Sequence, residues 1–191
     1  IQTFHQLISH SRNESGFRMV RFRKSFCKSP LKSFYKLFYI CRMQLLDGKK
    51  VSAHIKGEIK QQVDELISAG KRAPHLVAIL VGENPASKAY VGSKVKTCAE
   101  LGFQSTLVTY EADVTEEELL DKIIAFNRDE NVDGILVQLP LPKHISEEKV
   151  IESIHHKKDV DGFHPLNLGK MMLNLPTFIP ATPYGIMLML E

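Results

Sequence analysis

The sequence predicts an α/β fold: a three-layer domain with a mostly parallel sheet between flanking helices. Three observations predict it. Apolar runs of strand length, at 75–81 and 135–139, read as strands covered on both faces. Segments with apolar residues every three or four positions alternate with them. Glycines and capping residues fall at the junctions.

Each element follows in order. Val51, Ile55, Ile59, Val63, Leu66 and Ile67 mark one buried helix face, ended by Gly70. Pro74 precedes the strand at 75–81. A turn at 82–86 leads to a helix at 87–101, stopped by Gly102, and then to a strand at 103–110. Thr115-Glu116-Glu117-Glu118 fits a capping box for the helix carrying Leu119, Leu120, Ile123, Ile124 and Phe126. Asp133-Gly134 turns into the third strand, 135–139, and Ser146 caps a short helix through Ile154. Ligands of parallel sheets collect at the carboxyl ends of the strands, here 81–87 and 138–142.

The net charge of +3 over 191 residues hides two regions. Residues 1–42 hold nine Lys/Arg and one acid, Glu14, whereas the remainder holds sixteen basic and twenty-one acidic residues. The mildly acidic remainder lacks the broad basic field of a nucleic-acid binder. No apolar run reaches the 18 or so residues of a membrane helix. The basic leader, 1–42, reads as an organelle transit peptide or as translated sequence upstream of a true start at Met43, and is set aside from fold reasoning. The expected location is accordingly cytoplasmic, or mitochondrial if the leader is a transit peptide. The expected domain runs from 43 to 180. Residues 181–191 begin a helix in which the chain stops, so truncation at the carboxyl end is expected. The three cysteines, Cys27, Cys41 and Cys98, make no disulfide framework.

Several residues could carry chemistry. Tyr90 and Lys94, four apart, share a helix face. A ring can stack on a flat ligand, and an amine can move protons if burial lowers its pKa; a surface lysine lying over a tyrosine is the plain alternative. Gln138 interrupts an apolar strand, and a buried amide needs partners, from a ligand or from neighbouring backbone. Leu139-Pro140-Leu141-Pro142 continues as a rigid apolar wall. Asp161, in Asp159-Val160-Asp161-Gly162, belongs to an ordinary turn or offers a carboxylate to a guanidine-like ring edge. His155-His156 has no partners at ligand spacing, so no metal site is expected. Gly82-Glu83-Asn84-Pro85 lacks the glycine spacing of a phosphate or dinucleotide loop.

Taken in order, these pieces resemble one family. They are Met43-Gln44-Leu45-Leu46-Asp47-Gly48-Lys49; Val81-Gly82-Glu83-Asn84-Pro85-Ala86-Ser87 with Tyr90-Val91-Gly92-Ser93-Lys94; the run from Asp133 to Pro142; Lys158-Asp159-Val160-Asp161-Gly162-Phe163; Asn167-x-Gly169; and Pro180-Ala181-Thr182-Pro183. Residues 43–191 resemble the bifunctional methylenetetrahydrofolate dehydrogenase/methenyltetrahydrofolate cyclohydrolases, called FolD in bacteria. The resemblance implies NADP-dependent (sometimes NAD-dependent) oxidation of 5,10-methylenetetrahydrofolate, then hydrolysis of the methenyl cation to 10-formyltetrahydrofolate. It implies that Lys94 manages protons, Gln138 holds and tunes Lys94, Tyr90 stacks on the folate, Asp161 grips the pterin edge, and the backbone of Val137 and Leu139 lines the pocket. It also implies a homodimer, and a second, Rossmann domain for the cofactor that is missing from this chain. Two rivals remain. Tyr-x-x-x-Lys also occurs in short-chain dehydrogenases, but no glycine-rich cofactor turn precedes Tyr90. A non-catalytic folate-binding module is the other.

Overall fold

A computed structural model describes residues 46–190. Residues 1–42, and with them the leader reading, lie outside the described residues. Helix α1 (Gly48–Ser68) starts at Asp47, whose carboxylate accepts from the amides of Lys49 and Lys50 at 3.0 and 3.2 Å. It buries Ile59, Val63 and Leu66. Strand β1 (His75–Val81) follows. Helix α2 (Pro85–Leu101) starts two residues before the expected 87, because Asn84 caps it and proline suits the first helical turn. Gly102, at φ 81°, ends it in the left-handed conformation that glycine adopts without strain. Strand β2 (Gln104–Tyr110) leads to helix α3 (Glu116–Arg128), where Thr115 Oγ1 accepts from the Glu118 amide at 3.2 Å, one half of the expected capping box. Strand β3 (Gly134–Val137), helix α4 (Glu147–Ser153), helix α5 (Pro165–Met172) and helix α6 (Ala181–Leu190) complete the described chain.

The sheet is parallel throughout, in the order β2–β1–β3. Alternation along β1 sends Leu76, Ala78 and Leu80 to one face and Val77, Ile79 and Val81 to the other. The first set packs with Ile59, Val63, Val91, Cys98 and Leu101 of α1 and α2. The second packs with Leu119 and Ile123 of α3 and Val150 of α4. Two apolar layers on a buried sheet are the expected three-layer α/β architecture. A bidentate pair, Arg72 to Asp133 at 2.5 and 2.9 Å, with the His75 amide on the same carboxylate, ties the amino ends of β1 and β3 together.

Two expectations need correction. The third strand ends at Val137 rather than 139, so Gln138 stands in the loop beyond the sheet. Its amide still donates to the Ile79 carbonyl at 2.9 Å, but Pro140 has no N–H to continue the ladder. Helix α5 was not expected at all: its periodicity is short, and its cap is a histidine, His164, whose ring accepts from the Leu166 amide at 3.1 Å.

Gly102→Ala should destabilise the domain by about 1–2 kcal/mol, the cost of a left-handed alanine, with a Cβ only 3.3 Å from Val63 Cγ1. Urea unfolding checks this, and an unchanged midpoint would show that the helix end relaxes.

Candidate functional site

Because β1 from Leu76 onward and β3 are apolar, polar groups gather beyond their carboxyl ends. Helix α2 starts there and carries Ser87, Tyr90 and Lys94 along one face, at spacings of three and four. The loop after β3 brings Gln138, Leu139 and Pro140 opposite. The turn at 159–162 adds Asp161, and the start of α6 closes the side with Ala181 and Thr182. These residues border a cavity of about 520 Å³, and all six residues singled out in the sequence (Tyr90, Lys94, Val137, Gln138, Leu139 and Asp161) line it. A neighbouring lobe of about 600 Å³ lies between α1, α2 and α6 and shares Tyr90, Lys94, Asp161, Ala181 and Thr182.

Lys94 is the centre. Its Nζ lies 3.9 Å from Asp161 Oδ1 and 4.5 Å from the centroid of the Tyr90 ring. The lysine side chain is 17% exposed and the aspartate 26%. Burial pushes the amine below the ordinary lysine range, against the upward pull of Asp161. The same burial raises the Asp161 carboxyl, and Lys94 opposes it while the nearby Asp159 charge reinforces it. Both shifts run towards the uncharged form, so desolvation outweighs an attraction acting across 3.9 Å. Cys98, one turn along α2, is fully buried, and burial pushes its thiol up to about 11, which leaves it inert as a nucleophile.

Gln138 departs from the expected arrangement. Its Nε2 donates to the Leu139 carbonyl at 2.7 Å, and no hydrogen bond joins it to Lys94. The two aspartates of the turn divide the alternatives that the sequence left open. Asp159 performs the turn chemistry, accepting from the Gly162 amide at 3.1 Å, and Asp161 faces the cavity. Ser87 was missed: it is 7% exposed and borders the cavity. Its i, i+3, i+7 spacing with Tyr90 and Lys94 was the available signal. Among the described residues no group of three or more His, Cys, Asp or Glu side chains could hold a metal, and no helix is long and apolar enough to cross a membrane.

Residues 46–161 match the model of the tetrahydrofolate dehydrogenase/cyclohydrolase catalytic domain. The chain belongs to this family. It is 59% identical over 149 residues to the bifunctional protein FolD of Flavobacterium johnsoniae, a match covering 78% of this chain and 50% of that protein. The crystal structure of the bifunctional enzyme FolD from Campylobacter jejuni superposes with a TM-score of 0.75 at 49% identity, covering 77% of this chain and 52% of that one. The Trypanosoma brucei family structure, complexed with NADP cofactor and inhibitor, aligns with a TM-score of 0.71 at 33% identity over 74% of this chain and 48% of that one. The chain thus spans about half the length of the relatives it matches.

Asp161→Asn removes the one carboxylate that pulls the Lys94 pKa upward against burial. The amine should therefore titrate at still lower pH than in the parent protein, as read from the Lys94 Cε resonance of lysine-labelled protein. A midpoint that stays or rises would mean the two groups are not coupled.

Proposed function

We propose that this chain is the folate-binding catalytic part of a methylenetetrahydrofolate dehydrogenase/methenyltetrahydrofolate cyclohydrolase. The observation that carries the reading is the half-buried Lys94, held between an aromatic ring and a carboxylate in a cavity at the carboxyl end of a parallel sheet, within a chain of that family. The substrate, 5,10-methylenetetrahydrofolate, gives up a hydride and becomes the methenyl cation. Water adds to the methenyl carbon, the adduct loses a proton, and the ring opens to 10-formyltetrahydrofolate.

The chain's own residues suit the hydrolytic half. A protonated lysine would repel the cation, whereas a neutral amine can take the proton that the attacking water loses. Burial favours the neutral amine. Tyr90 stacks on the folate. Asp161 accepts paired N–H groups from the pterin edge, and the backbone of Val137 and Leu139 lines the pocket. Gln138 holds and tunes Lys94, leaving the Leu139 carbonyl to do so.

The hydride acceptor is a nicotinamide cofactor, NADP or NAD. Among the described residues no glycine turn of dinucleotide-binding spacing follows a strand, and Gly82-Glu83-Asn84-Pro85 does not fit one. On this reading the cofactor is held outside the described residues. The proposal extends to one-carbon supply for purine biosynthesis, in a cytoplasmic homodimer.

In the complete protein, Lys94→Ala should lower methenyl hydrolysis by about 10²–10⁴-fold, the usual contribution of a positioned proton acceptor. Hydride transfer should fall far less. Equal losses in the two assays would remove the assigned role. Asp161→Ala should weaken folate binding by about 1–3 kcal/mol, as for a lost hydrogen bond to a charged group; an unchanged Kd by calorimetry would dismiss the pterin contact.

A further inference from the structure

Outside the cavity, the most buried polar cluster in the described residues surrounds Asp159. This carboxylate is 3% exposed and accepts three hydrogen bonds: from the Gly162 amide at 3.1 Å, the His164 amide at 2.8 Å and Asn167 Nδ2 at 2.9 Å. Asn167 is 1% exposed. Its amide nitrogen also donates to the His156 carbonyl, and its Oδ1 accepts from Thr177 Oγ1, both at 2.8 Å. Asp159 is itself anchored to the sheet through a bridge to Ile135. The cluster thus joins three pieces of chain that have no regular pairing with one another: the turn carrying Asp161, helix α5, and the stretch before α6.

The joint is tight. Gly162 stands at φ 73°, and a Cβ there would lie 2.8 Å from the Ile179 carbonyl carbon and the Pro180 nitrogen. The 177–180 stretch therefore runs directly against the turn, and leads into Ala181 and Thr182, which border both lobes. Asn167 and Thr177 thus adjoin the turn that carries Asp161 on one side and the cavity wall on the other.

We propose that Asp159, Asn167 and Thr177 form a positioning relay that holds the Asp161 carboxylate at Lys94 and registers the start of α6 against the folate cavity. The ligand in this statement rests on the folate reading above; the relay itself does not. A carboxylate is needed at 159 because three donors converge on it, and an amide offers a single acceptor oxygen. The relay residues touch no substrate, and act through Asp161.

The test uses the full chain with Thr177→Val, which deprives a buried Asn167 Oδ1 of its donor, Thr177→Ser, which restores the hydroxyl, and Asp159→Asn. Two readouts are taken: the Lys94 Cε titration without ligand, and the Kd of 5-formyltetrahydrofolate by calorimetry. In Thr177→Val the Lys94 midpoint should fall towards that of Asp161→Asn, because the carboxylate has drifted away, and the Kd should rise about tenfold, the loss of a charge-assisted contact. Thr177→Ser should return both to within about twofold of the parent. Asp159→Asn should behave like Thr177→Val, with the acid limit of folate binding moved to lower pH, since burial, which chiefly raises the Asp161 carboxyl, loses the added push of the Asp159 charge. Parent-like Lys94 titration in Thr177→Val, or no rescue by Thr177→Ser, overturns the relay even if folate binds. If 5-formyltetrahydrofolate does not bind the parent chain, the folate reading falls while the titration still decides the relay.

Discussion

A parallel strand with neighbours on both edges and helices over both faces has no place for an unpaired polar side chain. β1 is in that position: from Leu76 to Val81 every residue is buried. The polar groups that β1 and β3 cannot carry emerge where they end, and the chain there changes character at once. Gly82 turns at φ 78°, Asn84 caps α2, and Gln138 leaves the sheet. The cavity is the space left between α2, which starts at one strand end, and the loops that start at the other.

Within that space one competition sets the chemistry. Lys94 and Asp161 attract each other, yet both are largely withdrawn from water. At 3.9 Å the attraction does not restore what hydration gave, so each group moves towards its neutral form. The placement of Asp161 therefore matters to the amine as well as to a ligand. Through it, on the proposed relay, the Asp159–Asn167–Thr177 cluster beside the turn reaches the cavity.

The fold was legible because its signals are local. Buried strands, helix faces, Gly102 and the caps Thr115 and Ser146 each announce themselves within a few residues. That the six candidate residues share one cavity was legible as well, since helical spacing and strand ends point to one place, and family motifs singled out the residues. What was hidden depends on contacts distant in sequence. Nothing local marks Asn167 as the partner of Asp159 and Thr177, or α5 as a helix whose cap is His164. The bond from Gln138 to Leu139 was hidden for another reason: it follows from the loop's path after Pro140 removes the next ladder donor, and an amide's choice between neighbour and ligand is made by geometry.

The opposed shifts of Lys94 and Asp161 also say what a cationic ligand does to the pair. A positive charge seated beside the carboxylate stabilises its ionised form and further disfavours an ammonium nearby. The ligand's own charge thus favours one protonation state, ionised Asp161 with neutral Lys94, in a pair where burial works against both charges. On the proposed reading, the methenyl cation would prepare the base that its own hydrolysis requires, and the reduced, uncharged methylene substrate would not. A single cleft could then bind both folates while directing water at one of them.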